Sequence, residues 1–157
     1  MAAHGGREIE TTGEGLMVAF ASAAAAVRCA IDMRRSSSNA ATGLALRIGL
    51  DAGEPLPDGG DLYGSAVTLA SRLCDAAAEG QILASDAVRH IAAPHISAEM
   101  EPAGALRLAG ITEPVRATEV NWRGTPSQQP PPQSEVPVHQ ISVVIADDQR
   151  LLRTGFR

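Results

Sequence analysis

Arg7–Thr12 alternates polar and apolar residues and ends at Gly13-Glu14-Gly15, and Leu16–Phe20 follows as an apolar run. Two short runs joined by a three-residue glycine turn predict a β-hairpin. Ser22 stands where an N-cap belongs. Beyond it Ala23, Ala26, Val27, Ala30 and Ile31 recur at helical spacing. Arg28, Asp32, Arg34 and Arg35 fall mostly on the other side, and Ser36-Ser37-Ser38-Asn39 closes the helix. Leu44–Leu50, bounded by Gly43 and Gly53, predicts a buried strand, and Glu54–Gly60 a Pro/Gly/Asp loop. A second helix is expected from near Gly64 to about Ala78, closed by Gly80. Its polar positions Ser65, Thr68, Arg72 and Asp75 share one face, and Val67, Ala70, Cys74 and Ala77 occupy another. Gln81–Ala84 predicts a short strand, and Ser85 an N-cap for Asp86–Ala92. Leu106–Leu108 and Val115–Asn121 predict two more strands, joined by Gly110–Pro114. The fold class is α+β, with helices packed on a sheet.

The pattern changes after Trp122. Residues 123–140 hold five prolines with Gln and Ser, cannot build a core, and predict an extended linker. Residues 141–157 begin something new: Ile141-Ser142-Val143-Val144-Ile145-Ala146 predicts a buried strand, Asp147-Asp148 an acidic pair, and Gln149 onward a helix start.

Composition narrows the chemistry. The chain has 157 residues, about one domain, with a net charge of −5. All 13 cationic residues are arginine. With no lysine there is no Walker-type lysine, Schiff base or lysine general base. Mild acidity with scattered arginines argues against a nucleic-acid surface. Aromatics are only 3%, so the core must be built from Ala, Val, Ile and Leu, and modest stability is expected. Cys29 and Cys74 lie in apolar helical surroundings without a Cys-x-x-Cys pair, which predicts buried small side chains rather than metal ligands. No secretory signal opens the chain, and the apolar stretch Leu16–Ile31 is too short to span a bilayer. Cytoplasm is the expected compartment, with no membrane partner.

Five segments, taken in order, carry a resemblance. Arg7–Phe20 resembles the central hairpin of class III nucleotidyl cyclase catalytic domains. Arg47–Glu54 resembles their next core strand, and Asp61–Leu73 their catalytic helix. Gly80–Ser85 and Leu106–Val115 resemble their closing segments. The resemblance implies a ferredoxin-like cyclase sandwich over 1–122. It also implies that the family's opening strand and first two helices are missing, as in a truncated domain.

Such cyclases convert a purine nucleoside triphosphate to a cyclic monophosphate and pyrophosphate. The ribose 3′-hydroxyl attacks the α-phosphorus with two divalent metals, Mg²⁺ or Mn²⁺, in support. Sites form between two chains, so the resemblance implies a homodimer or a cyclase-like partner domain. Position by position, the first metal aspartate has no counterpart before the hairpin. The second corresponds to Glu14, a longer carboxylate. The base-selecting lysine corresponds to Glu10, which reverses the charge. Asp61 matches the acceptor for the adenine amine, Thr68 replaces the ribose-orienting asparagine, and Arg72 matches the arginine that stabilises charge on the α-phosphate. Each has a plainer alternative. Glu14 could be a solvated turn residue, Asp61 a charge favouring a helix N-terminus, Thr68 a simple helix-face residue, and Arg72 a partner of Asp75 or Glu79.

Ile141–Arg157 in turn resembles the opening of a response-regulator receiver domain, a flavodoxin-like fold. That resemblance implies a βα stub whose Asp147 and Asp148 contribute to an incomplete Mg²⁺ site. Three functions are therefore open: a cyclase-homology signalling module with impaired catalysis, a functional purine cyclase completed by an upstream segment, and a truncated response-regulator transcription factor.

Overall fold

The computed structural model describes residues 4–11, 15–39, 45–54, 56–58, 61–124 and 141–147; at Glu10, Thr11, Pro57, Asp58, Asp61 and throughout 141–147 it describes the backbone alone. The predicted hairpin is β1 (Arg7–Thr11) and β2 (Gly15–Phe20), antiparallel with a bulge between Glu8 and Glu10. Helix α1 (Ala23–Asn39) starts where Ser22 Oγ accepts the Ala25 amide, and it runs on through the serines expected to end it. Then come β3 (Arg47–Gly53), β4 (Leu56–Asp58), β5 (Asp61–Tyr63) and α2 (Ser65–Ala76). The chain continues through β6 (Ile82–Ser85), α3 (Asp86–Ala92), a 3₁₀ turn at Ala93–His95, β7 (Met100–Leu106) and β8 (Val115–Val120). Three strands depart from expectation. The segment expected as a loop forms β4, paired antiparallel with β5, and β5 itself is not among the expected strands. β7 begins six residues earlier than predicted and ends at Leu106, leaving Arg107 and Leu108 outside it, because an edge strand with Pro102, Gly104 and a bulge between them has no strong apolar alternation to announce it.

The larger difference is the last strand. Ile141–Asp147, expected to open a separate domain, is β9 of the same sheet. The sheet order is β1-β2-β9-β3-β6-β8-β7, and β9 runs antiparallel to both neighbours. An unbroken apolar run suits a central strand covered on both faces, and β9 lies between α1 and α2.

Alternation along β3 assigns the faces. Ile48 and Leu50 join Val18, Phe20, Val27, Ile82, Val88 and Val120 in the core under α1 and α3. Gly49 turns the other way, against Ala70 and Cys74 of α2. Leu73, Leu83, Leu108 and Ala117 form the smaller core on that side. Arg34, expected on the polar side of α1, is buried instead. Its Nε donates to the Gly80 carbonyl at 3.0 Å, Nη1 donates to Ser37 Oγ at 2.7 Å, and its guanidinium lies 4.4 Å from the Trp122 ring centre. Burial lowers its pKa, with Arg123 adding to the shift. The hydrogen bonds let this cation sit inside.

Candidate active site

Three pieces of chain carry the residues that sequence reasoning selected: the β1–β2 hairpin, the β5–α2 unit, and β9. Glu10 lies on β1 and pairs with Met17. Asp61 opens β5, where it pairs with Asp58, so it stands on a strand rather than in the first turn of a helix. β5 lies against β1, so the strands bearing Glu10 and Asp61 come together. Gly64 makes the corner into α2 with φ 128°, a backbone conformation open to glycine and strained for other residues.

On α2, Ala66, Ala70, Leu73 and Cys74 are buried against the sheet. Ser65, Thr68 and Asp75 are exposed and Arg72 is half-exposed on the opposite face. The face bearing Thr68 and Arg72 therefore turns away from the sheet in which the hairpin lies. Arg72 Nη1 donates to Asp75 Oδ2 at 3.2 Å, the ion pair that the helical spacing allows.

β9 brings in the acidic tail. Asp147 lies across from Gly15 on one side and Arg47 on the other. Glu14 and Asp148 lie outside the described residues. Glu14 directly precedes, in the chain, the Gly15 that pairs with Asp147. Among the described residues no cluster of three or more His, Cys, Asp or Glu side chains forms a ready metal site. Cys29 and Cys74 are both buried and outside any disulfide, Cys74 Sγ donates to the Arg47 carbonyl at 3.3 Å, and burial raises the Cys29 pKa.

Sequence reasoning missed one buried polar group. Asp51, on β3, is 6% exposed, and Ser85 Oγ donates to its Oδ1 at 2.5 Å. The same Oγ accepts the Val88 amide at 3.4 Å and caps α3. Burial raises the Asp51 pKa, against the lowering effect of the Ser85 and Ala52 hydrogen bonds. A lone carboxylate between Leu50 and Ala52 in a buried strand was the available signal. Asp51 shares the β3 face of Gly49 and Gly53, the face that α2 covers, and its pairing with Ser85 ties β3 to the end of β6 and the start of α3.

Comparison with known proteins gives consistent results. The family model described as the adenylate and guanylate cyclase catalytic domain matches residues 1–120. An uncharacterized protein of Mycobacterium tuberculosis is 37% identical over 132 residues, which is 83% of this chain and 34% of the relative. The chain thus spans about a quarter to a third of the length of the curated relatives it matches. An adenylate/guanylate cyclase/hydrolase from Silicibacter pomeroyi is similar with a TM-score of 0.67 and 30% identity, over 76% of this chain and 74% of that one. The guanylate cyclase domain of a Catenaria anguillulae protein, solved with GTP, is similar with a TM-score of 0.61 and 26% identity, over 76% of this chain and 74% of that one.

Proposed function

The chain belongs to the adenylate and guanylate cyclase catalytic domain family, and from that premise we propose that it is a signal-transduction module of cyclase type with impaired turnover. The observation that carries the impairment is Glu10. It occupies the β1 position that corresponds to the family's base-selecting lysine, and the chain contains no lysine to replace it. A carboxylate there repels a triphosphate and accepts hydrogen bonds where a donor is needed. Thr68 adds to the effect, because a hydroxyl is shorter than the family's asparagine amide. Arg72 keeps the charge and the bidentate donor geometry for an α-phosphate. Its ion pair with Asp75 is exposed, so it yields to a phosphate at small cost. The exposed setting of Thr68 and Arg72 supports a role across an interface with a second cyclase-type domain.

The family implies Mg²⁺ or Mn²⁺, and carboxylates suit these hard cations. Glu14 and Asp147 would hold the ion, with Asp148 next in the chain. The register of Asp147 against Gly15 supports this grouping. When bound, the metal acts as a Lewis acid toward the phosphates. The chain's own work is to orient the triphosphate through Arg72 and the purine through Asp61.

The same register favours a second reading, a functional purine cyclase, because Asp147 returns a carboxylate to the hairpin end. One experiment separates the two. The purified chain is incubated with ATP or GTP and Mn²⁺, and cyclic nucleotide is measured. No product is expected. Turnover abolished by Arg72→Ala would establish the cyclase reading instead. Arg72→Ala removes a surface pair worth about 0–1 kcal/mol, so the variant stays folded.

A further inference from the structure

β2 and β3 are not ladder partners: β9 stands between them. Its backbone is paired along its length, Ser142–Asp147 with β2 and Ile141–Asp147 with β3. The facing strands carry buried residues, Val18, Ala19 and Phe20 on one side and Ile48, Leu50 and Asp51 on the other. Without β9, both would present unpaired N–H and C=O groups, which act as a template for another strand. The hairpin would then be joined to β3 through α1, which contacts both β2 and β3.

β9 reaches this position late in the chain. β8 and β9 run the same way, three strand spacings apart, which is about 14 Å. Passing back along the sheet adds roughly 20 Å. Between Gly124 and Ile141 lie 16 residues rich in proline. An extended chain of that length covers about 50 Å, ample for the return. A tether of this kind gives the segment an effective concentration of about millimolar at its own sheet, well above a second copy at micromolar protein.

We propose that the gap between β2 and β3 is a strand-binding cleft and that its ligand is the chain's own segment Ile141–Asp147, held reversibly by backbone pairing. Occupancy of the cleft aligns the β1–β2 hairpin with β3 and, through Gly49, with α2. Release opens the cleft to another apolar strand. The proposal is independent of nucleotide chemistry, and backbone exchange tests it without any turnover assay.

In the full chain, hydrogen exchange read by mass spectrometry should slow the amides of Val143–Ala146 at least about 100-fold relative to a free peptide of residues 139–149. Exchange of those amides at the free-peptide rate, with β2 and β3 protected, would overturn the proposal whatever any variant does. Val144→Pro removes a ladder donor at the centre of β9 and should raise exchange in Val18–Phe20 and Ile48–Asp51 together. Fluorescent peptide 139–149 should bind the Val144→Pro chain and restore that protection; no binding counts against the cleft. Protection of Val143–Ala146 should be the same at about 10 µM and about 100 µM protein, whatever oligomeric state light scattering reports. Protection that fades on dilution as a dimer dissociates would assign the strand to a second copy and refute the own-chain assignment.

Discussion

Gly49→Ala tests the contact that sets α2 on the sheet. A Cβ at this position would overlap the Ala70 carbonyl oxygen and the Cys74 amide nitrogen and lie 3.0 Å from Cys74 Cα, where ordinary contact begins at 3.4 Å. All three atoms belong to helix backbone, so no rotamer change relieves the clash. Either α2 retreats by about 1 Å or β3 bends, and overpacking of this kind costs about 1–3 kcal/mol. For a domain of this size the melting temperature should fall by roughly 3–10 °C. The single tryptophan, Trp122, reports the melt, because its Nε1 donates to the Gly80 carbonyl at 2.8 Å in the folded state. A second signal comes from Cys74, whose 1% exposure should rise as α2 lifts, so that a thiol reagent modifies it faster. Gly124→Ala is the control, since a Cβ there meets nothing within 4 Å. A Gly49→Ala chain that melts within about 1 °C of the parent, with unchanged Cys74 reactivity, would refute the reasoning.

Two further outcomes follow from the Asp51–Ser85 pair. Ser85→Ala removes the α3 cap, about 1 kcal/mol, and takes a donor from a buried carboxylate, about 1–3 kcal/mol more. Urea unfolding should register a combined loss of roughly 2–4 kcal/mol, and a loss below about 1 kcal/mol would contradict the assigned hydrogen bonds. Asp51→Asn probes the pH dependence. Burial raises the folded-state pKa above the ordinary 3.8, so the folded chain binds the proton more tightly than the unfolded chain. The contribution of Asp51 to stability is therefore full below about pH 3.8 and is lost as pH rises through the folded-state value. Asp51→Asn should gain on the parent as pH increases from about 4 to 8 in urea titrations, and a constant difference across that range would rule out the raised pKa.

The hairpin, α2 and α3 were legible because each is a local pattern: two runs about a glycine turn, an apolar face at helical spacing, and a Ser N-cap. Ser85 does cap α3, as its sequence position implied. The selected positions were named by their order relative to those elements, which is why Glu10, Asp61, Thr68 and Arg72 fall on β1, β5 and α2. β4 escaped notice because Pro57 and the glycines beside it carry turn signals as strongly as strand signals. Arg34 was misassigned because periodicity ranks a residue by polarity alone. Burial of its guanidinium depends on carbonyl and hydroxyl acceptors at Gly80 and Ser37, one of them distant in sequence.

The sequence by itself determined the α+β class, the family, and the residue types available for chemistry, including the absence of lysine. These follow from short-range periodicity and composition, which a linear chain displays in full. The tertiary structure decided where the ends of that information meet. Gly49 shows its purpose only against α2, and Asp51 only against Ser85. Residues 141–147 read alone as the start of another domain, since an apolar strand followed by acids fits more than one sheet. Backbone pairing with both β2 and β3 sets them inside this one, with Asp147 beside Gly15. Strand partnership is a long-range choice made by hydrogen bonding across the sheet, and no local pattern encodes it.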